Sequence, residues 1–225
     1  MRAVLLDGMG TLLRLEDPAP HLRRELAARG VVVDASTARA GMAAEIAYYR
    51  EHNLEGADPQ GLAGLRRRCA EVLRGALAVP QDASPAVHDA LLAALRFHAF
   101  PDAIPALDRL RAAGLRLVVA SNWDVSLHER LAETGLARRL DGAVTSAEVG
   151  RAKPDPAVFA RALEIAGATA DEALHVGDSR SEDVVGARNA GIEPVLVDRG
   201  GDKGAVGVRT ISSLAELPGL VGAHP

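Results

Sequence analysis

The 225-residue sequence predicts an α/β fold, a doubly wound parallel sheet with an α-helical unit inserted after its first strand. Three observations lead there. Ala3-Val4-Leu5-Leu6 is an apolar run without a polar face, the pattern of a strand buried on both sides. Residues 101–225 alternate helical segments with short apolar runs, as successive βαβ units do. Residues 18–100 carry helical patterns and no convincing strand pair.

Taken in order, the opening run ends at Asp7, followed by Gly8-Met9-Gly10-Thr11. A residue there lies at the carboxyl end of its strand, where open α/β sheets keep their ligand crevice. Gly8 and Gly10 suit a tight turn or close approach to a bound anion. Arg14 to Pro20 reads as a flap or hinge. The spacing then predicts helices over 21–29, from a Ser36 cap to about Asn53, over 61–77, and over 84–97 with Ser84 at the cap and Pro85 in the first turn. Pro18-Ala19-Pro20 and Phe100-Pro101-Asp102 mark the boundaries, giving a core of 1–17 with 101–225 and a helical domain of 18–100.

Beyond residue 101 the predicted helices are 104–113, 127–133, 156–166 (capped by Asp155), 181–190 and a short 212–217. The predicted strands are 115–120, 142–145, 173–176 and 194–197. Right-handed crossovers bring the carboxyl ends of all these strands to one edge.

Composition narrows the function. A formal charge of −4 offers no basic footprint for nucleic acid. No apolar run approaches a membrane span and no secretory segment precedes the first strand, so a cytoplasmic protein without membrane contact is expected. Cys69 stands alone on a predicted helix face and reads as a packing residue. Of 26 basic residues only Lys153 and Lys203 are lysine, which makes a lysine at a given place less of an accident.

Four polar clusters share one position in this architecture, just past a strand end: Asp7, Ser121-Asn122, Lys153, and Asp178 with Asp183. Together they are the parts of a phosphoryl-transfer site. A carboxylate can attack phosphorus, while a hydroxyl, an amide and an ammonium can hold and neutralise its oxygens. Further carboxylates suit Mg²⁺, which prefers oxygen ligands. His175, before Gly177-Asp178, reads as a core histidine, and the remaining histidines show no zinc-like spacing.

At these residues the chain resembles the haloacid dehalogenase (HAD) superfamily, in the branch with a helical cap after the first strand of a Rossmann-like core. Asp7-Gly8-Met9-Gly10-Thr11, Val119-Ala120-Ser121-Asn122 and Ala152-Lys153-Pro154-Asp155-Pro156 are similar to its first three motifs. Val176-Gly177-Asp178-Ser179, continuing through Glu182-Asp183 to Gly186-Ala187, is similar to the fourth. The resemblance covers essentially the whole chain. It implies Asp7 as nucleophile, Lys153 as its neutralising partner, Ser121 with the Asn122 amide on the phosphoryl group, and Thr11 positioning the first loop beside the phosphate; Trp123, directly after that pair, is placed either to pack on a substrate or to pack under the cap. It implies Mg²⁺ held by Asp7, Asp178, Asp183 and the Met9 carbonyl, a small phosphorylated metabolite as substrate, and a monomer or homodimer. Substrate choice would then lie with the cap.

One position departs. Phosphatases of this family carry a second aspartate where this chain has Met9, and a thioether has no proton to give a leaving group. Glu16, Asp17 or His21 are the nearby candidates to replace it. Three functions stay open: a phosphatase of weak or unusual activity, a 2-haloacid dehalogenase-like hydrolase, and a catalytically silent binding protein.

Overall fold

The computed structural model describes residues 1–201 and 207–222; Lys203 lies outside them. The chain divides into two compact units, residues 15–98 and residues 1–14 with 99–225. The strands are β1 (Ala3–Leu6), β2 (Leu13–Leu15), β3 (Phe97–Ala99), β4 (Arg116–Ser121), β5 (Gly142–Thr145), β6 (Ala173–Gly177), β7 (Glu193–Val197) and β8 (Arg209–Ile211).

Six of them form one sheet in the order β5-β4-β1-β6-β7-β8, and every neighbouring pair is parallel. Counted within the sheet alone this is the 3-2-1-4-5-6 arrangement, whose order reverses between β1 and β6. The register is what places the site. Leu6 pairs with Val119 on β4 and Val176 on β6, so the next residue, Asp7, emerges between the ends of those two strands.

The larger unit also holds α5 to α10. Their ranges follow the four helices of the smaller unit, α1 (Pro18–Ala27), α2 (Ala35–His52), α3 (Pro59–Ala76) and α4 (Ser84–Ala94): α5 (Ala103–Ala112), α6 (Leu127–Glu133), α7 (Ser146–Val149), α8 (Ala157–Ala166), α9 (Val185–Asn189) and α10 (Leu217–Leu220). Ala3 and Leu5 of β1, with Val118 and Ala120 of β4, pack with Val158, Phe159 and Ala162 of α8. The alternate residues Val4, Leu6, Leu117 and Val119 are equally buried, as the continuous apolar runs require for a sheet covered on both faces.

Residues 15–98 bury Leu22 and Leu26 of α1, Leu65 and Leu73 of α3, and Val87 and Leu91 of α4 in one apolar cluster. Aspartates start three of the helices: Asp17 accepts from Ala19 N, Asp34 from Thr37 N and Asp58 from Gly61 N.

Several local expectations need correction. Asp34, with extended backbone, is the cap of α2, and Ser36 lies inside the helix with its hydroxyl on Asp34. Ser84 does not cap α4, because its hydroxyl donates to Glu71 Oε1 at 2.6 Å. That helix stops at Ala94 rather than 97, since Phe97–Ala99 is strand β3, paired with β2. The flap therefore contains most of β2 and the first three residues of α1 proper. Residues 181–190 divide into a π-type turn, Arg180–Val184, and the one-turn α9. The short helix α7 and strand β8 carry no sequence signal long enough to read.

Candidate active site

Asp7 continues β1 by one hydrogen bond, its N–H donating to Val176 O at 2.9 Å. The chain then folds back on itself, with Leu12 N and Leu13 N both donating to Gly8 O and Gly10 N donating to Leu13 O. Gly10 has φ +82°, and a Cβ there would lie 2.5 Å from the Asp178 carboxyl carbon. A Cβ on Gly8 would lie 3.0 Å from Ser121 Oγ. These glycines thus serve the turn, and they also let side chains from β4 and from the loop after β6 close on Asp7.

Asp7 is 6% exposed, and its partners bind it on one side only. Ser121 Oγ donates to Oδ1 at 3.0 Å and Lys153 Nζ donates to the same oxygen at 2.7 Å. Lys153 is buried, with its other protons on Asp183 Oδ1 at 2.6 Å and Ala120 O at 2.9 Å. Asp183 is fully engaged: Oδ1 also accepts from His175 Nε2 at 2.9 Å, and Oδ2 accepts from Ser179 N at 2.9 Å. It rests on a bare backbone, since a Cβ on Gly177 would fall 2.1 Å from its carboxyl carbon.

The charges do not balance. Asp7, Asp178 and Asp183 bring one carboxylate oxygen each within 4.8 Å of one another, and Lys153 is the ammonium among them. Burial, with Asp183 and Asp178 adding to it, outweighs the Lys153 charge and pushes Asp7 up to about 7. Burial also works against Asp183 and Lys153, yet Lys153 and His175 hold Asp183 well below the usual carboxylate range, and Asp7 with Asp183 holds the Lys153 ammonium charged. Burial pushes His175 down. A neutral imidazole beside an ionised Asp183 must carry its proton on Nε2.

An all-oxygen set short of positive charge fits a hard divalent cation. Asp7 and Asp178 each bring a carboxylate oxygen to a cluster that could hold such an ion. Asp183, with both oxygens occupied by protein donors, holds the arrangement in shape.

The other predicted residues take varied places. Asn122 spends its side chain on the lysine loop, Nδ2 donating to Lys153 O at 3.0 Å and Oδ1 accepting from Lys153 N at 2.7 Å. Its Nδ2 also reaches Glu182. Trp123 is buried at 5% exposure, with Ser146 Oγ bridging its N–H and carbonyl. Thr11 is buried in the first loop, and among the described residues its hydroxyl has no partner. Met9 is 36% exposed and forms a bridge with Leu13. In residues 15–98, Glu16 pairs with His21 at 2.8 Å and His98 at 3.1 Å.

His175 is the site residue that sequence reading assigned to the core alone. It is in the core, edge-on to Phe159, and it is also a donor to Asp183. Strand periodicity held the signal: His175 and Gly177 share a face of β6, and Asp183 lies over Gly177.

The chain belongs to the haloacid dehalogenase-like hydrolases, whose family model matches residues 1–191. It is 42% identical over 106 residues to a phosphoserine phosphatase of Thermus thermophilus, a match covering 47% of this chain and 43% of that protein. The chain spans about half the length of the curated relatives it matches. Among solved structures it resembles a HAD phosphatase from Thermococcus onnurineus, with TM-score 0.70 and 26% identity over 100% of this chain and 99% of that one. It equally resembles a 2-haloacid dehalogenase from Pseudomonas syringae pv. Tomato DC3000, with TM-score 0.69 and 25% identity over 99% and 98%. Several of the curated relatives it matches are named phosphatases, and the family it belongs to is one of hydrolases. No helix among the described residues is long and apolar enough to cross a membrane.

Proposed function

We propose that the protein is a Mg²⁺-dependent phosphoester hydrolase, acting on a small phosphorylated metabolite through an aspartyl-phosphate on Asp7. The asymmetric hold on Asp7 carries this reading: Ser121 and Lys153 both donate to Oδ1, which leaves Oδ2 as the attacking atom. In the first half-reaction Oδ2 forms a bond to phosphorus and the leaving oxygen departs with the electron pair of the broken P–O bond. In the second, water attacks the same phosphorus, releasing inorganic phosphate and the Asp7 carboxylate. Lys153 offsets the charge on Asp7, and Ser121 with the Asn122 N–H holds the phosphoryl oxygens. Bound Mg²⁺, held by Asp7, Asp178 and the Met9 carbonyl and steadied by Asp183, would neutralise carboxylate and phosphoryl oxygens together.

Met9 sets the character of the activity. With no acid at that position the leaving oxygen departs unprotonated unless Glu16, Asp17 or His21 supplies the proton. General acid catalysis is worth about 10²–10⁴ in rate. Esters with acidic leaving groups are therefore favoured over alkyl phosphates.

The test is phosphate release from an aryl phosphate, with and without Mg²⁺, beside Asp7→Asn. Turnover that needs Mg²⁺ and falls by about 10³-fold or more in Asp7→Asn is expected, as for loss of other covalent nucleophiles. Equal rates in the two proteins would end this reading.

Met9 also favours a second reading, since displacing halide from carbon needs no proton for the leaving group. Asp7 Oδ2 would then attack carbon and expel halide, with no metal required. The retained Asp178 and Asp183 speak against it, and halide release from a 2-haloacid without Mg²⁺ tests it. Silence in both assays leaves the binding-protein reading.

A further inference from the structure

Arg199, at the far end of the chain from Asp7, is bonded to the loop that carries Asp7. One guanidinium nitrogen, Nη2, donates to Thr11 O at 3.0 Å and to Asp102 Oδ1 at 3.0 Å. The other, Nη1, donates to Asp102 Oδ2 at 2.8 Å. The plane lies over the Phe100 ring, with the central carbon 3.7 Å from the ring centroid. Asp102 in turn accepts from Ser213 Oγ at 2.7 Å and Leu214 N at 2.9 Å. Phe100 N donates to Leu12 O at 2.9 Å, tying the outgoing and returning chain together.

The fork and the stacking face are both used, which a lysine could not reproduce. Thr11 is joined to the nucleophile by very little chain. Leu12 N, the next amide, donates to Gly8 O, and Gly10 lies against the Asp178 carboxyl group. A shift of the Thr11 carbonyl is thus a shift of Gly8, Gly10 and the set of Asp7 against Asp178.

We propose that Arg199 is a positioning residue for the hydrolytic reaction, clamping the Asp7 loop through the Thr11 carbonyl and anchoring that clamp on Asp102. This rests on the phosphoester-hydrolase reading for its kinetic consequence alone; the mechanical claim stands apart from it. Misplacing reacting groups by about 1 Å can cost about 10²-fold in rate, so the effect falls on kcat rather than on KM.

Two variants and two readouts test it. In Arg199→Ala, kcat for the aryl phosphate falls about 10- to 100-fold with KM little changed, and added guanidinium restores part of it. Arg199→Lys, which keeps the charge and loses the fork, lies between the variant and the parent. Amide hydrogen exchange of residues 8–14 speeds up in Arg199→Ala while β4 and β6 stay protected. Unchanged exchange in 8–14, or an activity loss matched by uniform exchange over the whole sheet with no guanidinium rescue, overturns the proposal. If the parent protein releases no phosphate, the hydrolase reading fails, and the exchange comparison still decides the clamp.

Discussion

The two units bury different kinds of side chain. Among described residues 15–98, the buried polar groups are Glu45 and Asn53, set in a cluster of leucine, alanine and valine. The other unit buries Asp7, Ser121, Lys153, His175 and Asp183 around the ends of β1, β4 and β6. Removing an ion from water costs several kcal/mol even after relaxation. A fold does not gather charges at one sheet edge for stability. The helical unit is held by apolar area, whereas the sheet unit carries an electrostatic strain at the ends of β1, β4 and β6.

Replacing Lys153 should separate the two regimes most sharply. Lys153→Met leaves the Asp7 and Asp183 carboxylates without their cation, and breaking a buried pair costs about 3–5 kcal/mol. Urea unfolding near neutral pH reads that loss, and kcat should drop by about 10²–10³ as for loss of a charge-stabilising donor. A loss below about 1 kcal/mol would place Lys153 among surface-like ion pairs.

Leu73→Ala probes the other side. Leu73 is fully buried in α3, and such truncations cost about 2–5 kcal/mol, set by how far the site collapses. Calorimetry should show the loss, while the rise in melting temperature expected on adding Mg²⁺, if the proposed site binds it, is retained. If that rise disappears as well, the units are not energetically separable.

The smallest effect concerns pH in metal-free protein. Asp7 is raised from 3.8 to about 7, so its contribution favours the folded state at low pH and is lost as pH rises through that window. Asp183, held low, works in the opposite direction, losing its contribution as pH falls. Asp7→Asn should therefore melt higher than the parent at about pH 8 and match it at about pH 4, with Mg²⁺ narrowing the gap. A gap independent of pH would remove the charge-deficit account of the site.

The sheet and the residues at its edge were legible because both are written locally. An apolar run ending in Asp7, Ser121 or Gly177-Asp178 states the strand and its terminus in a few residues. What could not be read are partnerships across long separations. Arg199 meets Asp102 across 97 positions and Thr11 across 188, and nothing in Val-Asp-Arg-Gly marks them. The strands β2, Leu-Arg-Leu, and β3, Phe-His-Ala, are too short and mixed for a period to show. The choice of Asp34 over Ser36 as a cap depends on backbone angles, which composition does not give. That the Asn122 side chain donates to Lys153 O and Glu182 is likewise a matter of loop geometry.

The strand order has a consequence for synthesis on the ribosome. β1 is made first and lies at the centre of the sheet, yet its neighbours β4 and β6 begin at residues 116 and 173. Until then both of its edges are open, and an unpaired apolar strand is the kind of segment that aggregates. The stretch 15–98, a contiguous compact unit, can complete its packing in the interval. The nascent chain would thus carry a finished helical bundle beside an unfinished strand, a state that holdase chaperones are suited to shelter.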